Sequence, residues 1–177
     1  MMHTPAQYSS LFDGESLSLG GLYWHRPYFP TRAERATLIS EVIPSWATPS
    51  GITAAWIWTG MGLPTPLCVL RPAAPAISPL ERERWKAREL RSHKHGLVQV
   101  AGCQVLDPPS TEMELLRSPH SLDLLATQIF FLRSLEFPLP DTSAARLSPV
   151  QRERATLIME RVQELTELYP DITRYTS

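Results

Sequence analysis

The chain has 177 residues, 43% hydrophobic and 20% charged, a balance that supports one folded domain with a real core and excludes a disordered tail or a fibre. Its 17 basic and 18 acidic side chains give a formal net charge of -1, so nothing in the whole-molecule charge draws it to nucleic acid and any such contact has to come from a local patch. Cys68 and Cys103 lie outside any CxxC spacing, which points to two buried thiols in a reducing cytosol and to neither a zinc site nor a disulfide framework.

In chain order, residues 1–19 mix Ser, Gly and Asp with isolated apolar residues and are expected to form a loosely ordered lead-in, without the basic start and apolar run of a leader peptide. Gly20 and Gly21 then turn into a short aromatic strand at Leu22, Tyr23 and Trp24. Thr31 and Glu34 form a capping box that opens a helix over 31–43, with Ala36, Ile39, Val42 and Ile43 on its apolar face and Pro44 at its end. Ser50 is placed to cap a second helix carrying Ile52, Ala55, Trp56 and Thr59, which Gly60 and Gly62 end. Leu67 to Leu70 is an apolar run of strand length.

The segment Leu80 to His95 holds six Lys/Arg, three Glu and two His, and its pattern admits two structures. A helix is permitted by propensity; a strand would put Arg82, Arg84, Lys86 and Arg88 on one face, with Trp85 and Ala87 on the other. Leu97 to Val100 and Cys103 to Leu106 follow as two short strands around Ala101-Gly102, a tight hairpin whose turn needs Gly102. Pro108 takes the chain out of the sheet, and Thr111 with Glu114 is a second capping box, opening a helix through Arg117. Ser118-Pro119 restarts the pattern, which Leu122, Leu125, Ile129 and Leu132 carry to about Ser134. Ser148, Pro149 and Gln151 begin the last helix, with Ala155, Ile158, Val162, Leu165 and Tyr169 in 3,4 alternation until Pro170. The expected class is α+β: a single compact mixed domain over 30–177, with a small sheet that includes the hairpin near 97–106 and flanking helices, preceded by a lead-in over 1–29. No segment approaches the ~18 apolar residues of a spanning helix, so a cytoplasmic protein is expected.

The residues offer no catalytic set. There is no GxSxG elbow, no GK[ST] ending to a phosphate loop and no GxGxxG. Of His3, His25, His93, His95 and His120, only the His93/His95 pair could act together, and it lacks a third ligand, so neither metal nor cofactor is expected. The pairs Glu81/Glu83, Glu112/Glu114 and Glu164/Glu167 are explained by interleaved arginines, by a helix first turn and by a polar helix face. The basic residues Arg82, Arg84, Lys86, Arg88, Arg91 and Lys94 could contact phosphates or could form a solvated face. The tryptophans at 24, 46, 56, 58 and 85 fit core and rim better than a base-stacking platform.

Three segments in order resemble the AbiEi-like antitoxin family, the regulatory halves of type IV toxin-antitoxin systems, and in particular its actinobacterial members. They are Ala47 to Trp56 (ATPSGITAAW), Val100 to Thr111 running into Leu115-Leu116-Arg117, and the tail Tyr169 to Tyr175. The duties of Ser50, Gly102, Pro108 and Thr111 in these segments are those of a scaffold. The resemblance implies a non-catalytic bacterial antitoxin or transcriptional autoregulator acting against a nucleotidyltransferase-like toxin, with promoter DNA as a second partner. In the family DNA is read by an N-terminal winged helix. Here only about 20 residues precede Gly20-Gly21-Leu22-Tyr23, which looks like the end of a wing, so most of the recognition helix is expected to be missing.

Overall fold

A capping box starts the first helix, α1 (Arg32–Val42): the Thr31 hydroxyl accepts the Glu34 N–H, and the Glu34 carboxylate accepts the Thr31 N–H at 2.7 Å. The computed structural model describes residues 16–19, 22–25, 31–71, 78–79, 85–89, 96–140 and 147–171. Within them, β1 (Ser16–Leu19) pairs antiparallel with β2 (Leu22–His25), so the end of the expected lead-in is a strand, satisfied by the chain that returns beside it. Ala36 and Ile39 give α1 its buried stripe.

Three strands form a mixed sheet: β3 (Thr48–Pro49), β4 (Leu67–Arg71) and β5 (Trp85–Glu89), with β4 in the middle. β3 and β4 run antiparallel, whereas β4 and β5 run parallel in the register Leu67 with Trp85 to Arg71 with Glu89. The strand alternative for the basic segment therefore holds over 85–89, because β4 offers an edge to pair with and Trp85 has a buried place to go. Between β3 and β4 lies α2 (Gly51–Thr59), whose residues Ile52 to Trp58 are all buried. A helix without a charged residue, apolar around its whole circumference, is stable only inside, and α2 is packed between α1, β4 and the helices that follow. It is held there by polar contacts as well. The Trp58 indole N–H donates to the Leu106 carbonyl at 2.7 Å, and Arg35 Nε donates to the Ile57 carbonyl at 3.0 Å near the helix's C-terminal end.

The hairpin stands where expected: β6 (Leu97–Val100) pairs antiparallel with β7 (Cys103–Leu106). Both turn residues have positive φ, Ala101 at 48° and Gly102 at 82°, the conformation of a two-residue turn that matches strand twist. Two of the expected helix starts are corrected. α3 (Pro108–Leu115) begins with Asp107 as its cap, whose carboxylate accepts the Ser110 N–H at 2.8 Å, and with Pro108 in its first turn. Thr111 thus lies inside the helix and donates its hydroxyl back to the Leu106 carbonyl, and Glu114 is spent on arginines rather than on a capping box. Glu112 and Glu114 are buried ion-pair partners, not first-turn charges exposed to the helix dipole. Likewise α4 (Leu122–Arg133) is capped by Ser121 and not restarted at Ser118, since Ser118 is committed to a turn with His120.

The last helix, α5 (Pro149–Leu168), starts at the Ser148/Gln151 capping box. It lays Ala155, Ile158 and Val162 against α4, so its apolar stripe is used on the chain's own core. Arg133 at the end of α4 reaches Glu112 on α3 with both Nε and Nη2, the latter at 2.6 Å. The result is an α+β fold, the class the sequence pattern implies, with five helices and three small sheets among the described residues, the hairpin being a two-stranded sheet of its own. None of those helices is long and apolar enough to cross a membrane.

A candidate anion-binding cleft

The start of α2 is unusual in having a serine in the cap position that does not cap. The Thr53 N–H donates to the Ser50 carbonyl at 3.0 Å, the left-handed Gly51 (φ +49°) follows, and the Ser50 hydroxyl makes no bond to the helix. This corrects the expected role of Ser50. The helix end is fixed instead by β4: Ser50 N–H donates to the Cys68 carbonyl at 3.0 Å, and the Cys68 N–H donates to the Thr53 hydroxyl at 2.7 Å. Cys68 is half-buried rather than buried, with its sulfur facing the Ile52 N–H.

Parallel pairing sets Lys86 beside Cys68 and Arg88 beside Leu70. Alternation along β5 buries Trp85 and leaves Lys86 and Arg88 exposed on the opposite face. Across from them, the C-terminal end of α3 brings Glu114, Arg117 and, in the next turn, His120. Glu114, only 5% exposed, accepts Arg88 at 2.5 Å and Arg117 at 3.4 Å. α5 fixes the turn, with Arg154 donating to the carbonyls of Ser118 (3.3 Å) and His120. Lys86, Arg88, Glu114, Arg117 and His120 line a cleft of about 320 Å³ together with Ser50 and Gly51 at the start of α2.

The protonation states follow from these surroundings. Burial, then the nearby Lys86 and Arg154, hold His120 below the usual histidine value, so its ring is neutral at neutral pH. The Ser118 hydroxyl lies 2.6 Å from His120 Nδ1. That oxygen also accepts the His120 backbone N–H at 3.5 Å. Burial raises the Cys68 thiol, against the opposing pull of Lys86, the Ile52 N–H and Arg88, and burial alone raises Cys103. Both are protonated at neutral pH. The cleft thus presents Lys86, Arg88 and Arg117, the ion-paired Glu114 and the Ser50 hydroxyl beside a helix N-terminus, a set that attracts anions.

Of the residues singled out from sequence, Ser50, Lys86 and Arg88 line this cleft. Arg82, Arg84, Arg91, Lys94 and the pair His93/His95 lie outside the described residues. Gly102, Pro108 and Thr111 serve the hairpin and the start of α3 and do not line the cleft. Trp56, Trp58 and Trp85 are core residues. Sequence reasoning missed Arg117, His120 and Cys68 as neighbours of the basic strand. The i,i+3 spacing of Glu114 and Arg117 on a helix was the one local signal, and it says nothing about β5. Among the described residues no group of three or more His, Cys, Asp or Glu is placed to hold a metal ion. No protein-family model, curated protein or solved structure matches the chain.

Proposed function

We propose that this chain is a non-catalytic regulatory protein of the cytoplasm that works by binding the phosphates of a nucleic acid, in keeping with the antitoxin-type autoregulator that the AbiEi-like resemblance implies. The observation that carries this reading is the convergence of Lys86 and Arg88, adjacent on one face of β5, with Arg117 at the end of α3. Three cations within one cleft give a local positive field on a chain whose formal charge is -1. The non-catalytic part of the reading is supported by the state of the cleft's reactive groups. Glu114 is held by two arginines, and the Cys68 thiol is pushed up and protonated.

The test is fluorescence anisotropy of labelled duplex and single-stranded DNA and RNA over a salt series. Three phosphate contacts on a duplex give a log-log slope near -2.7 and a loss of about 40-fold between roughly 50 and 200 mM salt. The double substitution Lys86→Gln/Arg88→Gln is expected to weaken binding to all sequences alike and to flatten the slope by about 2. Salt-independent or undetectable binding to every strand overturns the reading. The antitoxin role is tested by co-expression with a nucleotidyltransferase-like toxin encoded beside this chain, where relief of growth arrest is the expected result.

A further inference from the structure

We propose that the part of the cleft beside the start of α2 is a seat for a terminal phosphomonoester, the phosphate carried by the 5′ end of a nucleic acid or by a free nucleotide. The inference rests on the phosphate-binding reading above and narrows it from a backbone to a chain end.

Three observations distinguish an end from a backbone. The first is shape. A duplex backbone runs past a surface, whereas here the cations line a cleft of about 320 Å³ together with Ser50 and Gly51 at the start of α2. The second is charge. Lys86, Arg88 and Arg117 face the single carboxylate of Glu114, leaving a surplus of two positive charges. A phosphomonoester carries about -1.5 to -2 at neutral pH and matches that surplus, while a backbone diester carries a single charge. The third is an unused hydroxyl. Ser50 is 3% exposed, lines the cleft, and its hydroxyl does not cap the helix. Its oxygen reaches the cleft and is not sealed in the core, so it can donate to an acceptor-rich ligand there. Behind it the start of α2, a helix of nine residues, adds the positive end of its dipole. Arg88 and Arg117 are already oriented by Glu114, so a phosphate meets donors that are held in place.

The full chain is titrated with a short labelled single strand carrying a 5′-phosphate and with the same strand carrying a 5′-hydroxyl. Adenosine 5′-monophosphate and adenosine are then measured by calorimetry. The expected result is an affinity about tenfold or more higher for the phosphorylated strand, with heat from the monophosphate and none from adenosine. Ser50→Ala and Arg117→Gln, each with an unchanged far-ultraviolet circular dichroism spectrum, are expected to abolish the preference, and Arg161→Gln on the exposed face of α5 to leave it intact. Equal affinity for the two strands with no binding of the monophosphate overturns the seat and leaves nucleic-acid binding standing. Binding of the monophosphate with no affinity for any strand upholds the seat and overturns the nucleic-acid reading. Failure of every ligand overturns both, and a full preference retained by Ser50→Ala overturns the placement of the phosphate at α2.

Discussion

Glu114 on α3 holds Arg88 on β5 at 2.5 Å, across 26 positions of sequence, and shares its other oxygen with Arg117. Because two arginines serve one carboxylate that is 5% exposed, neither is indispensable alone. Arg88→Gln and Arg117→Gln are each expected to cost under about 1 kcal/mol, because the other arginine still pairs the carboxylate. The double variant leaves the buried carboxylate unpaired and is expected to cost about 3 kcal/mol or more, well beyond the sum of the singles. Urea unfolding of the two singles and the double measures this directly, and additive losses would contradict the shared-carboxylate account.

The Glu112–Arg133 pair has no such reserve. Glu112 is 2% exposed, and Arg133 is its one ion-pair partner among the described residues, reaching both carboxylate oxygens. Arg133→Met is expected to cost about 3–5 kcal/mol by stranding a buried charge. Adding Glu112→Gln in the same chain removes the charge and is expected to restore part of the loss. A double variant no more stable than Arg133→Met would show that the lost packing around Arg133, and not the unpaired carboxylate, dominates.

His120 makes stability depend on pH in a defined direction. Burial, with Lys86 and Arg154 nearby, lowers its folded-state value, so below about pH 6.5 the unfolded chain takes up a proton that the folded protein resists. The stability that this group contributes is complete above about pH 6.5 and declines as the pH falls toward the folded-state value. His120→Gln removes that contribution. The difference in urea midpoint between the wild-type chain and the variant is therefore expected to move in the variant's favour between pH 7.5 and pH 5.5, and parallel pH profiles would refute the assignment.

The hairpin turn contains a correctable strain. Ala101 sits at φ 48°, a left-handed conformation that costs a non-glycine residue roughly 1 kcal/mol, and asparagine tolerates it better. Ala101→Asn, which creates the preferred Asn-Gly turn, is expected to stabilise by about 0.5–1 kcal/mol. Gly102→Ala is expected to destabilise by about 1 kcal/mol through the backbone alone, since a Cβ there meets nothing within 4 Å. Thermal melts of the two variants should shift in opposite directions.

What the sequence by itself determined was local: the Thr31/Glu34 and Ser148/Gln151 capping boxes, the Ala101-Gly102 turn and the burial of α2 are each specified within a few neighbouring residues. Where two local signals overlapped, sequence could not rank them. Asp107 and Thr111 both resemble helix caps, and the start fell to Asp107 because Pro108 is already set for a first turn and Glu114 is drawn away by two arginines. The basic segment is the same case at larger scale. Its pattern admitted helix or strand, and the parallel edge of β4 decided for strand over Trp85–Glu89. Only the tertiary structure could assemble the cleft. Its groups come from the start of α2, β4, β5, the end of α3, the turn after it and the start of α5, and no periodicity links Ser50 and Cys68 to Lys86, Arg117 and His120. Caps and turns act over one helical turn of chain, whereas a charged site depends on distances through space, which are fixed once the strands have paired and the helices have packed.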